Sequence, residues 1–313
     1  MPQAVSRTER LIRDGPGLRR SLLPFLAVAA VGSAAFWLLS APKYVPDAAL
    51  AGLSGDATRG AHLFSLGGCA SCHAAPEAKG PEKFVLSGGR AFVSPFGTFY
   101  APNISPDRQH GIGGWSVAAF TSAMRYGTTP DGSHYYPAFP YPSYARASLA
   151  NLVDLKAYMD TLPVSETANQ AHVIPFPFNI RRSLGGWKWL FLRPGWIIDT
   201  PNMSDEAKQG RALVEGLGHC AECHTPRGRL GNLLTDQWLQ GAANPSGKGR
   251  IPALTPDKLD WSQQDIAEYL KSGFTPDFDT AGGEMVDVVE NTSQLSDEDR
   301  AAIAAYLKAL PTP

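Results

Sequence analysis

Apolar and polar positions recur with a helical period in several separate stretches, and the stretches come in pairs. Asp56 to Phe64 and Asp205 to Leu213 each read as a short amphipathic helix. Trp115-Ser116 and Trp261-Ser262 each open a second helix, with the serine placed as N-cap. Those helices end at Gly127 and Gly273, twelve residues after their tryptophans, where a glycine C-cap is expected. A final pair closes at Tyr158-Met-Asp-Thr-Leu-Pro163 and Tyr306-Leu-Lys-Ala-Leu-Pro311. The last helix opens on Ser296-Asp-Glu-Asp299, a capping-box-like start, and its Ile303, Leu307 and Leu310 share one face. No run alternates as a strand, so the pattern predicts an all-α chain in which one domain is written twice.

The N-terminal pattern is different. Leu22 to Leu39 is an uncharged, mostly apolar run of 18 residues, at the lower edge of what spans a bilayer. Arg7, Arg10, Arg13, Arg19 and Arg20 precede it, against Glu9 and Asp14, and Lys43 follows it. The positive-inside rule then keeps the N-terminus cytoplasmic and exports everything after about residue 42. A cleaved signal peptide is the alternative reading. The apolar run is long for a signal core, and Leu39-Ser40-Ala41 before Pro42 makes a poor cleavage site, which favours a retained single-span anchor. Pro24 falls in the first turn, where it costs a helix little.

A chain of 313 residues with 31 glycines and 26 prolines describes two loop-rich globular domains. The expected organisation is a basic segment and anchor over 1–42, domains over 43–163 and 201–313, and a connector over 164–200. Net charge is −1, and the first twenty residues carry +3 of it, leaving −4 for the rest. That balance speaks against nucleic-acid binding and suits docking on a basic patch of a redox protein.

The chemistry lies in two pentads that use all four cysteines, Cys69-Ala-Ser-Cys72-His73 and Cys220-Ala-Glu-Cys223-His224. Two thiols on one helical turn match the two vinyl groups of a haem, and the adjoining histidine matches its iron. Zinc is the main rival reading. It fits less well, because the pairs stand 151 residues apart, each inside its own repeat and each followed at once by a histidine. Two covalently bound haem c groups are therefore expected, held by Cys69, Cys72, His73, Cys220, Cys223 and His224. Haem c is attached outside the bacterial inner membrane, so chemistry and the expected periplasmic topology agree. Small helical domains with this much loop have little apolar core of their own, and a buried haem supplies the missing mass.

On these residues the chain resembles the class I cytochrome c fold. It more closely resembles the dihaem cytochromes that accompany bacterial alcohol and related periplasmic dehydrogenases. The resemblance covers residues 54 to 313 and rests on several further motifs. These are Pro102-Asn-Ile-Ser-Pro-Asp107, Gly111-Ile-Gly-Gly-Trp115, the Asp131–Tyr141 stretch and Gly282-Gly-Glu-Met285. It implies electron relay from a dehydrogenase or quinol donor to a terminal oxidase or soluble cytochrome. It also implies that the backbone oxygens of Pro102 and Pro252 orient the two histidines.

The halves part at the sixth iron ligand. Met285 lies twelve residues after Gly273, where the family places its methionine. The same count from Gly127 lands on Phe139, which cannot bind iron, and Ala147 fills a second position where relatives carry methionine. Met124, His134 or no protein ligand remain for domain 1. An open iron there, with His134 as acid or base, would instead suit an enzyme acting on peroxide or a small sulfur or nitrogen species. His62, His110, His172 and His219 read as surface or edge residues. The connector carries Trp187, Trp189 and Trp196 and is too aromatic for a flexible tether. A strap across both domains is expected, with a membrane or partner contact as the alternative, and Arg181 and Arg182 as candidates to pair haem propionates.

Overall fold

A computed structural model describes residues 16–199, 201–245 and 249–312. Arg7, Arg10 and Arg13 lie outside the described residues, as does position 200, where the connector was expected to end. The chain divides into two units, Met1–Ala41 and Pro42–Pro313. The first holds a 24-residue helix, α1 (Pro16–Leu39), with Pro24 inside it. Phe25, Leu26, Val28, Val31, Trp37, Leu38 and Leu39 are all exposed along it. Among the described residues no helix is long and apolar enough to cross a membrane. The expected span over Leu22–Leu39 thus lies within α1, whose apolar side chains from Phe25 onward are exposed.

In the second unit the paired pattern becomes paired structure. The first half runs through α2 (Ala57–Leu66), the pentad helix α3 (Cys69–His73), strands β1 (Ala91–Ser94) and β2 (Gly97–Tyr100), and helix α4 (Val117–Tyr126). It ends with the short α5 (Tyr141–Tyr144) and α6 (Leu149–Met159). Helix α7 (Ser183–Phe191) lies in the connector. The second half repeats the order as α8 (Asp205–Glu215), the pentad helix α9 (Ala221–His224), and strands β3 (Ala242–Ala243) and β4 (Arg250–Ile251). It continues with α10 (Gln263–Ser272), α11 (Met285–Thr292) and α12 (Asp297–Lys308).

The caps fall where the sequence places them. Ser116, Ser262 and Ser296 accept from the amides of Ala119, Asp265 and Asp299. Gly127 and Gly273 end α4 and α10 in the left-handed region, at φ 58 and φ 77.

In each half the first helix crosses the last at a glycine. A Cβ on Gly60 would sit 2.1 Å from the Asp154 carbonyl oxygen, and one on Gly210 would sit 1.8 Å from that of Ala302. Tyr158 and Tyr306 close over these crossings. One continuous apolar cluster runs through both halves, including Phe64, Leu66 and Leu155 from the first and Leu217, Ile303 and Tyr306 from the second.

The all-α expectation needs one correction. The chain is helix-rich but has two small antiparallel hairpins, β1–β2 and β3–β4. Strands of two to four residues are too short for alternation to register in the sequence. The first hairpin also relies on a distant partner, since Thr98 bridges to Val173 of the connector.

Candidate functional site

Each pentad histidine is oriented by a proline carbonyl from the loop beyond the hairpin. His73 Nδ1 lies 2.9 Å from the Pro102 oxygen, and His224 Nδ1 lies 2.8 Å from the Pro252 oxygen. A carbonyl only accepts, so Nδ1 carries the proton and the Nε2 lone pair is left for a metal. Burial holds both imidazoles below their usual pKa, with the carbonyl bond opposing it. They are neutral at pH 7, the form a metal requires.

No disulfide joins any of the four cysteines. Burial pushes Cys69 and Cys220 up to about 12. Among the described residues no three His, Cys, Asp or Glu side chains converge as a metal site, so the pentads do not offer the set that zinc takes. The donor set is two neutral thiols on one turn beside an imidazole with a free Nε2. It fits a haem joined through two thioethers and ligated from one side.

Each pentad is touched by a side chain of the opposite half. Ser71, the middle residue of the first, accepts from Asn291 Nδ2 of α11 at 2.8 Å. Glu222, the middle residue of the second, accepts from Ser143 Oγ of α5 at 2.9 Å. Arg90 donates to the Ser71 carbonyl at 2.6 Å and to Glu284 at 2.9 Å. The ring of Tyr144 packs edge-on to that of His219, beside Cys220, with centroids 5.5 Å apart. Burial raises the Cys72 pKa, and the charges of Glu284 and Cys223 add to the rise. Cys223 is also raised by burial first and feels the same Glu284 carboxylate. The second thiols of the two pentads therefore share one electrostatic environment.

The sixth-ligand positions differ as sharply as their sequences. Met285 opens α11 and is half-buried. Its counterpart Phe139 sits among the rings of Tyr135, Tyr141 and Tyr144. Ala147 and Met124 are buried in the core cluster, which gives Met124 a packing role. His134, 2 % exposed, is taken by the connector: Lys188 Nζ lies 3.0 Å from its Nδ1. An ammonium can only donate, so while Lys188 is charged the ring proton sits on Nε2, the nitrogen an iron would need.

The connector is a strap across both halves. Lys188 Nζ also donates to the Gly127 oxygen at 2.6 Å, and Trp187 Nε1 donates across to Leu230 in the second half at 2.9 Å. Arg146 holds the strap's far end through the oxygens of Arg193 and Gly195. Arg181, expected near propionates, donates to the His134 oxygen at 3.0 Å and lies over the Tyr136 ring. Trp189 and Trp196 are exposed. His172 is an edge residue whose Nδ1 accepts from the Tyr100 amide. The sequence reading missed Ser71, Arg90, Asn291 and Glu284. Their partners lie some 200 residues away, and no local pattern marks them.

A duplicated helical domain, each copy presenting two thiols and a carbonyl-oriented imidazole on a short helix, defines a covalently haem-binding protein of the c type. The chain belongs to the cytochrome c family, whose model matches residues 57–163 and 207–311. It carries two covalently bound haem c groups. A diheme cytochrome c-type protein of Cereibacter sphaeroides is 57 % identical over 295 residues, covering 94 % of this chain and 99 % of the relative. The fructose dehydrogenase cytochrome subunit of Gluconobacter japonicus is 38 % identical, over 81 % of this chain and 52 % of its own length. The cytochrome c subunit of the quinone alcohol dehydrogenase of Gluconacetobacter polyoxogenes is 37 % identical, over 89 % and 60 %. The chain thus spans nearly the whole of the first relative and little more than half of the dehydrogenase subunits.

Proposed function

We propose that this chain is a membrane-anchored periplasmic electron-transfer subunit. It passes electrons one at a time from a dehydrogenase or quinol donor to a respiratory acceptor, either a terminal oxidase or a soluble cytochrome. Cys69 and Cys72 tether one haem and His73 ligates it; Cys220, Cys223 and His224 do the same for the other, with Met285 as sixth ligand. The haem supplies the one-electron chemistry, and the protein sets its potential through ligands and burial. The contacts that each half makes to the other's pentad carry this reading, because two haems held by these cysteines and histidines would lie at one interface between the halves.

Membrane anchoring is supported by the basic N-terminal segment and by the exposed apolar side chains of α1. Dehydrogenase partnership is supported by the relatives that are dehydrogenase subunits. The enzymatic alternative loses its acid or base, since the connector holds His134.

Thioether opposite histidine favours ferrous iron, so the domain 2 haem has the higher potential and domain 1 receives the electron first. A redox titration of the purified, haem-loaded chain tests this order. Two one-electron waves are expected. Met285→Leu should lower the upper wave by at least about 59 mV, a tenfold shift for one electron, and leave the lower one in place. If Met285→Leu shifts the lower wave instead, the order is wrong.

A further inference from the structure

A shift of 146 residues overlays the turn after α4 on the turn after α10. Both turns close the same way, with bridges Thr128–His134 and Phe274–Thr280. The Thr129 amide donates to the Ser133 oxygen as Thr275 does to Asp279, and Gly132 donates to Thr129 as Phe278 does to Thr275.

The residues in these matched positions differ in a consistent direction. Thr128 is buried, while its counterpart Phe274 is 59 % exposed. Gly132 has φ 84 and needs no side chain there. Phe278, at the same place, holds φ 63 with a bulky side chain that is 94 % exposed. An aromatic residue in the left-handed region costs strain, and full exposure of the ring adds no packing to offset it. The twin turn shows that glycine serves the backbone. The ring at 278 is therefore retained for something outside the chain.

The twin also shows what fits such a face. In the first half the turn is covered by the chain's own connector, which brings Lys188 and Arg181 onto its carbonyls and packs Trp187 beside Tyr141. In the second half Phe274, Phe278 and Val286 remain exposed, and the charged residues of the segment from Phe274 to Val286 are all acidic, Asp277, Asp279 and Glu284. Asp277 and Asp279 form no ion pair with any described residue. Glu284 meets Arg90, and the neighbouring Lys271 is taken by Asp297. Such a rim suits a cationic protein surface and repels an anionic lipid headgroup.

We propose that this face, beside Met285, docks a redox protein whose contact surface places lysine or arginine around an apolar centre, with Phe278 as the anchor. The proposal deepens the electron-transfer reading and rests on it. The partner plays at domain 2 the part that the connector plays at domain 1, and it meets the chain next to the higher-potential haem.

The test uses the full, haem-loaded chain in stopped-flow electron transfer to a lysine-rich mitochondrial cytochrome c as probe. Phe278→Gly installs the twin's own residue, so the fold and melting temperature should hold or improve. The second-order rate should nevertheless fall about tenfold or more, the loss typical of a buried aromatic anchor. Asp277→Asn with Asp279→Asn should flatten the fall of the wild-type rate with salt. A rate unchanged in Phe278→Gly, or no transfer from the wild type to the probe, overturns the proposal. Self-association in sedimentation, or binding to anionic phospholipid vesicles, that vanishes in Phe278→Gly overturns it too, by giving the face to a second copy or to a membrane. A parallel titration with small mediators separates the two levels. Two reversible couples with no Phe278 effect sink the docking face alone, whereas no reversible couple sinks the electron-transfer reading beneath it.

Discussion

Lys188 is buried and pairs with no carboxylate among the described residues; it rests on the Gly127 oxygen, His134 Nδ1 and the face of Tyr141. Burial pushes its ammonium down to about 7 from an ordinary 10.5. The unfolded chain holds this proton up to 10.5, whereas the folded chain releases it near 7. Between those values the unfolded state binds more protons, so stability rises with pH across the window and is flat below it. Urea denaturation of the haem-loaded protein at pH 7.5 and 9 should show this rise, with a slope approaching about 1.4 kcal/mol per pH unit. Lys188→Met should abolish the slope. An identical slope in the variant would place the titrating group elsewhere. The position is not marked in the sequence, since a lysine between two tryptophans reads equally well as a surface contact.

At the scale of elements, most of what the sequence reveals is local. Ser116, Ser262 and Ser296 cap the helices they precede, and Gly127 and Gly273 stop those they follow, because capping involves neighbours within a few residues. Pro102 and Pro252 were legible only through the family resemblance, and the geometry bears them out. The hairpins were not legible, being short and, in β1–β2, completed by Val173 from the connector. The helix crossings give the sharpest test at this scale. Gly210→Ala would drive a methyl into the Ala302 carbonyl, so α8 and α12 must separate. A loss of about 1–3 kcal/mol is expected in a urea titration followed by haem absorbance. An alanine tolerated at full stability would mean the two helices cross elsewhere.

Over the whole molecule, Glu215 ties three parts together. It is fully buried at the end of α8 and accepts from the amides of Ile197 and Ile198 in the connector, at 2.6 and 3.0 Å. It also accepts from Tyr306 Oη of α12 at 2.7 Å and lies 3.6 Å from Arg146 Nε of the first half. Glu215→Ala leaves Arg146 buried without its counter-charge and should cost about 3–5 kcal/mol. Calorimetry should then show one melting transition splitting into two as the halves uncouple. A single, barely shifted transition would contradict this role. Nothing in the sequence singles out this glutamate, because its partners come from three separate places in the chain.

The reciprocal contacts of the pentads have a bearing on how such a chain can change over evolution. A duplicated gene ordinarily leaves copies that can diverge, be exchanged or be lost one at a time. Here Ser71 is answered by Asn291 and Glu222 by Ser143, so each copy carries part of the wall of its sister's cofactor site. A recombination that replaced one copy with a foreign domain would arrive without that wall, and selection therefore acts on the pair as a single heritable piece.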